Sequence, residues 1–477
     1  MKKIFILSII ILSGAMCISC EKFLDVQPTG TLTEDVAFRD IQGFHDAMYG
    51  AYAAMAKPHL YGENLSYGFV DKLGQLFIFD NSEENDRYIV NFEYEHKAVR
   101  PISDTIWAGQ YTVISYLNNV LEHLKTTPIK HAELKLIEGE AHALRAFLHY
   151  DMVRLFADDY RRKPDARGIP YAYTFDLNNK KLFSLAETYK NILSDLSIAE
   201  KLLDNDNSIS ANSPSASSIY GKERYVHCNK FAVKAIKARV YHSMGNADSA
   251  AFYARQVIDS KTNFALEDFS LFNKVKRFPA PKELIFGLYT TRLTDNIFNL
   301  FLAKSGAGNF TQARTDLGKL YETGTFTAQN TDVRYSAFYK EDGWQTFRFI
   351  RFLSNEAEIK DNPVTGIGLI RLPEMYYILS ESVYDKNKTD AIALLNEVRK
   401  SRGLQPVSDE KVNTKEAFET EMMRERMREM PGEGQVFFAL KYYNKSFTKA
   451  KGQAEITPSS EIFVLPWPQK ELDFGNK

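Results

Sequence analysis

The chain has 477 residues, a formal net charge of −1, 44% hydrophobic and 25% charged residues. These proportions belong to a globular protein with a large core, and near-neutrality excludes the basic footprint on which nucleic-acid binding depends. Lys2 and Lys3 precede an apolar run, Ile4 to Met16, too short to cross a bilayer as a stop-transfer helix. Small residues, Cys17 and Ser19, stand three and one positions before Cys20. This order predicts a signal peptide over 1–19, cut before a Cys20 that carries a lipid, and a mature chain of 20–477 tethered by acyl chains. Cys17 leaves with the signal and Cys228 is then alone, so no disulfide forms within the mature chain.

Thr33 is placed to N-cap a first helix, with Glu34 and Asp35 at the positive end of its dipole. Phe38, Phe44, Met48 and Tyr52 then recur at helical spacing. Residues 61–101 differ: Tyr61, Tyr67, Phe69, Phe77, Tyr88 and Tyr94 are mixed with Asn, Gly and Asp without a period. Loops and short strands are expected there. Helices resume at Asp104, with Trp107, Tyr111, Ile114, Leu117 and Leu121 on one stripe, and again over Glu133 to Phe156. Ser184 and Glu187 form a capping box that opens a helix through Leu203. Asn205 to Gly221 is a Ser- and Asn-rich loop. Phe231 to Met244 and Asp248 to Ile258 pair across Gly245-Asn246, with Ala232, Ala235 and Ala238 allowing close approach, as in tetratricopeptide hairpins. Residues 282–352 form a second irregular region, with strands expected at Glu283 to Tyr289 and Arg348 to Phe352. A helix follows over Ala391 to Arg402, and Gly403 stands where a C-cap belongs.

Catalytic patterns are missing from the sequence. His142 and His149 lie on one helix without an H-E-x-x-H spacing, which reads as helix packing and not as a zinc site. The acid pairs Glu83-Glu84, Asp158-Asp159 and Asp409-Glu410 point apart, unlike glycosidase carboxylates facing across a substrate. Gly366-Ile367-Gly368 lacks the third glycine or lysine of a phosphate loop. Ser380 and Ser382 lack a nucleophile elbow. No catalytic residue, metal or other cofactor is expected.

Several phrases, in order, resemble the SusD/RagB family of outer-membrane nutrient-binding lipoproteins. They begin with Cys20, Phe23-Leu24-Asp25 and Pro28, then Gly139-Glu140-Ala141 with Leu144-Arg145-Ala146, then Asp332 and Arg334. Further on come Arg371-Leu372-Pro373-Glu374, Leu395-Asn396 with Val398-Arg399 and Arg402-Gly403, and Arg424-Glu425-Arg426 leading to Gly434. Leu465-Pro466-Trp467-Pro468 closes the series. Gln435 departs from the pattern where a basic residue is usual, as does Pro431. The resemblance implies a mostly α-helical fold: a tetratricopeptide-like scaffold of helix pairs with a loop-rich subdomain of short strands. It further implies a lipid-anchored protein of the outer membrane, facing the cell exterior. Such a protein captures an oligosaccharide and passes it to a SusC-like TonB-dependent barrel. A peptide ligand, or a scaffold that binds other proteins, are the alternatives.

Sugar rings stack their C–H faces on flat aromatics while their hydroxyls seek Asn, Asp, Gln and Arg. The irregular segments at about 61–101 and 282–352 supply both kinds of residue. Trp344, beside Asp342-Gly343 in an expected turn, is the first candidate. Tyr67, Tyr88, Tyr61 and Asp71 follow, whereas Trp107 lies on a helical stripe and is expected in the core.

Overall fold

Ile41–Met55 (α1) starts where the Asp40 carboxylate accepts the Gly43 N–H at 3.1 Å, a helix N-cap that satisfies one orphan donor. A computed structural model describes residues 37–78, 84–207, 209, 220–267, 280–290, 293, 310–322, 332–341, 346–351, 366–449 and 455–475. Cys20, Thr33 and Trp344 therefore lie outside the described residues. Beyond α1 the long helices are Arg100–Thr126 (α2), Leu134–Phe156 (α3), Leu185–Leu202 (α4), Lys230–Ser243 (α5) and Ala247–Ile258 (α6). The short helix Arg314–Leu320 (α7) precedes Leu372–Val383 (α8), Lys388–Ser401 (α9), Lys415–Glu429 (α10) and Val436–Tyr443 (α11).

These helices pack as neighbours: α2 on α3, α3 on α4, α5 on α6, and α8 on α9, with α6 also on α8. Local signals in the sequence account for their ends. Ser184 and Glu187 make the reciprocal capping box of α4, and the Asn246 side chain accepts the Ser249 N–H to start α6. At the end of α9, Gly403 adopts φ +76°. The Leu404 N–H reaches back to Arg399 O at 2.9 Å, closing the last turn through a conformation that only glycine adopts readily. The result is a mostly helical fold with small sheets.

The strands lie beside this scaffold. Arg167–Pro170 (β1) pairs with Leu182–Ser184 (β2), and Leu284–Tyr289 (β3) with Gly366–Arg371 (β7). Thr311–Ala313 (β4), Tyr339–Glu341 (β5) and Thr346–Phe349 (β6) form a sheet of order β4-β6-β5. Phe447–Thr448 (β8) pairs with Glu455–Ile456 (β9).

Two expectations need correction. Helix α2 begins at Arg100, ahead of Asp104, because Pro101 sits in its first turn, where the missing N–H costs nothing. The described part of 61–101 holds turns and two short helices, Phe69–Leu73 and Glu84–Val90. Its strand character is confined to one isolated bridge, Ile78 to Thr311. Each short turn sends its aromatics into the core, so no stripe long enough to show a period develops.

Candidate ligand-binding site

The aromatics chosen from residues 61–101 do not face solvent together. Tyr61 is 2% exposed; its hydroxyl donates to Asp151 Oδ2 at 2.8 Å and accepts from Gln110 Nε2 at 3.1 Å. Its ring stacks on Phe147. Tyr67 is 1% exposed and donates its O–H to the Gly62 carbonyl. Both are core residues whose hydroxyls are satisfied internally, as buried tyrosines require. Tyr88 is half-buried, with His96 stacked on it at 3.5 Å between centroids and the Arg87 guanidinium 4.9 Å from the ring centre. Trp107 is core, as its stripe suggests.

Asp71 is also inside. Its two carboxylate oxygens accept the N–H groups of Gly432 at 2.8 Å and Gly434 at 3.2 Å. Burial pushes its pKa up to about 7, against the pull of these two bonds. Gly434 has φ +66°, and a Cβ there would stand 2.5 Å from the Leu65 carbonyl. Asp71 is thus a clamp on the tight turn between α10 and α11, not a ligand-facing acid.

The phrases shared with the SusD/RagB pattern converge on one buried ionic network. Glu429 accepts from Arg371 Nη1 at 2.9 Å, Arg402 Nη2 at 2.8 Å and Nε at 3.0 Å, and Arg334 Nη1 at 2.9 Å. Arg334 also binds Asp332 and Glu425, while Arg371 and Arg402 share Glu283. Arg399 and Arg428 meet at Glu421 and Glu425. Burial alone would raise the carboxylate pKa values. The arginines outweigh it, holding Glu425 at about 2 and Glu429 well below the usual range. A second group links Glu140 to Arg224, to His227 at 3.1 Å and to Tyr52 at 2.5 Å. Arg145 binds Asp195 through Nε at 2.8 Å and Nη2 at 2.7 Å. These charges are paired and hydrogen-bonded on all sides, as burial of charge demands. They hold the scaffold together.

The two helix-borne histidines are accounted for in the same way. His149 bonds through Nδ1 to the Arg145 carbonyl at 2.8 Å, and its Nε2 accepts the Ala172 N–H at 3.1 Å. That pairing fixes a neutral imidazole, and burial pushes its pKa down to about 3. His142 meets Asp195 at 2.9 Å.

An open cleft of about 450 Å³ remains between the β4–α7 edge, helix α10 and the turn after Phe69–Leu73. Its size is that of a small-ligand site. Leu320, Met423, Met427 and Phe447 give it an apolar wall, and Gln75 and Gln312 bring carboxamides. Gln312 is 3% exposed, yet its side chain has no hydrogen-bond partner among the described residues. A cavity of about 70 Å³ beside Arg239 and Lys441 is too small for a sugar. Two walls of the larger cleft fall in the segments singled out from sequence. The third, α10, was read only as a family phrase; Met423 and Met427, four apart on an otherwise charged helix, were the available signal.

A helical-pair scaffold with an open, chemically mixed cleft defines a binding protein. A family model described as "Starch-binding associating with outer membrane" matches residues 22–242, and one described as "SusD family" matches 291–461. The chain belongs to the SusD/RagB family of outer-membrane-associated, non-catalytic binding proteins. It superposes with a TM-score of 0.73 on a SusD superfamily protein of Bacteroides thetaiotaomicron, at 20% identity, covering 93% of this chain and 98% of that one. A SusD-like carbohydrate binding protein of Bacteroides vulgatus gives 0.71 at 19% identity, covering 90% and 96%. A laminarin binding SusD-like protein gives 0.65 at 18% identity, covering 92% and 98%. SusD-like protein P2 of Formosa agariphila is 24% identical over 248 residues, 51% of this chain and 44% of that relative's length. The match thus spans less than half of the curated relative.

Proposed function

We propose that the protein is a lipid-anchored, outward-facing receptor that captures an oligosaccharide and hands it to a SusC-like TonB-dependent transporter. The observation that carries this reading is the 450 Å³ cleft, which is lined by apolar side chains together with the carboxamides of Gln75 and Gln312. Stacking surface together with fixed hydrogen-bond groups is what a pyranose requires, and preorganisation on a rigid scaffold limits the entropy lost on binding. The family assignment supports the same ligand class, and Cys20 supplies the tether. Trp344 remains the proposed stacking residue: Thr346, just beyond it in sequence, pairs with Ala313, which lines the cleft. Tyr88 is the second such proposal, while Tyr61, Tyr67 and Asp71 support the fold beneath.

Protein lacking residues 1–20 should bind oligosaccharides on a glycan array. An aromatic contact contributes about 1 kcal/mol beyond area burial, so Trp344→Ala should weaken that binding several-fold with an unchanged circular dichroism spectrum. Binding of peptides and of no glycan would overturn the reading. A mutant with unaltered affinity would remove Trp344 from the site.

A further inference from the structure

Resting on that reading, we propose that the cleft selects an acidic saccharide, carboxylated or sulfated, over a neutral one. The chain as a whole is almost neutral, but the residues that line the cleft are not. They include three cations, Lys319, Arg424 and Lys449, against one carboxylate, Asp316, which is itself already engaged.

The neutralisation of each cation decides the matter. Lys319 is exposed on α7 and forms no ion pair with a described residue. The Lys449 ammonium donates to the uncharged Asn91 carboxamide at 2.6 Å, so its charge is oriented but not cancelled. Arg424 Nη1 donates to Glu421 Oε2 at 3.1 Å. That carboxylate also serves Lys411 at 3.2 Å, and through its other oxygen Arg399 and Arg428, each at 3.1 Å. Glu421 is the carboxylate that Arg424 meets among the described residues, and it is shared with Arg399, Arg428 and Lys411, which draw also on Glu425 and Glu322, so the Arg424 charge at the cleft is only partly neutralised.

The placement of these groups fits a chain of sugar acids. They come from three segments, α7, α10 and the stretch after β8, and line the same cleft as the apolar Met423 and Met427. The planar guanidinium suits bidentate contact with a carboxylate or sulfate, while the ammonium groups act as point charges. Gln312 adds a neutral donor and acceptor for ring hydroxyls. A cleft with excess positive charge and low-dielectric walls focuses its field on an incoming anion and speeds its capture.

Arg424→Gln is the informative variant. Arg424 is half-exposed, and Glu421 keeps three other cations after its loss, so the fold does not depend on it. Calorimetry on protein lacking residues 1–20 should compare oligogalacturonate and sulfated galactan oligosaccharides with malto- and laminari-oligosaccharides. The acidic probes should bind more tightly, lose about tenfold in affinity on Arg424→Gln, and weaken as salt is raised. Lys319→Gln should act in the same direction with a smaller change. If the neutral glucans bind as well as the acidic probes, or salt and Arg424→Gln leave affinity unchanged, the acidic preference falls and the glycan-receptor reading stands. If no saccharide binds, both fall.

Discussion

Replacing Glu429 by glutamine tests whether the buried network governs the stability of the C-terminal half. The side chain is fully buried, and its carboxylate accepts four N–H bonds from Arg334, Arg371 and Arg402. Glutamine keeps the shape but carries no charge, and its NH₂ would face a guanidinium donor. Each guanidinium keeps another carboxylate, but the buried cluster loses one negative charge, and at least one donor is unpaired. Breaking a buried ion pair by removing one member costs about 3–5 kcal/mol, which is a large share of the roughly 5–15 kcal/mol by which a folded protein is stable. Urea unfolding followed by circular dichroism should show this loss. The comparison is Asp385→Asn, which removes a surface pair with Lys415 and should cost less than about 1 kcal/mol. The sign with pH follows from the depressed carboxylates. Their contribution is complete above the ordinary range and is lost as pH falls through the folded value, about 2 for Glu425. The acid limb of the stability curve should therefore be shallower in Glu429→Gln than in the parent. If Glu429→Gln unfolds within 1 kcal/mol of the parent, as Asp385→Asn should, the account of the network is wrong.

Asp71 predicts the opposite pH trend. Its folded pKa is raised to about 7, so the folded state binds more protons than the unfolded state between the ordinary Asp value and that point, and stability falls as pH rises across this window. Asp71→Asn abolishes the titration. Relative to the parent, the variant should gain about 2–3 kcal/mol between pH 5 and pH 8, and equal slopes in the two urea-midpoint curves would refute the raised pKa. Cys20→Ala should move the protein from the membrane fraction to the soluble fraction with its fold intact. Retention in the membrane, with no acyl mass on the N-terminal peptide of the parent, would end the lipoprotein reading.

Much of the scaffold was legible before the structure. The capping box at Ser184 and Glu187, the turn at Gly245-Asn246 and the glycine stop at Gly403 each act within a few residues of themselves, and all three occur in the fold. The family phrases were recognisable, but their purpose was not. Asp332, Arg334, Arg371, Arg399, Arg402 and Glu429 come from separate stretches and meet only in the buried cluster. The aromatics of residues 61–101 were harder still. A tyrosine beside glycine and asparagine reads the same whether its ring meets water or, like Tyr61, meets Phe147 and Asp151.

The sequence by itself therefore determined the family and those helices whose ends carry local caps, because backbone hydrogen bonds and caps close over three or four residues. Tertiary structure alone decided which polar groups are buried and where the cleft lies. Asp71 becomes a clamp only because Gly432 and Gly434 return to it. The cleft exists only because Gln75, Gln312 and Arg424 are brought to one place. Burial is a property of neighbours, and here the neighbours are hundreds of residues apart along the chain.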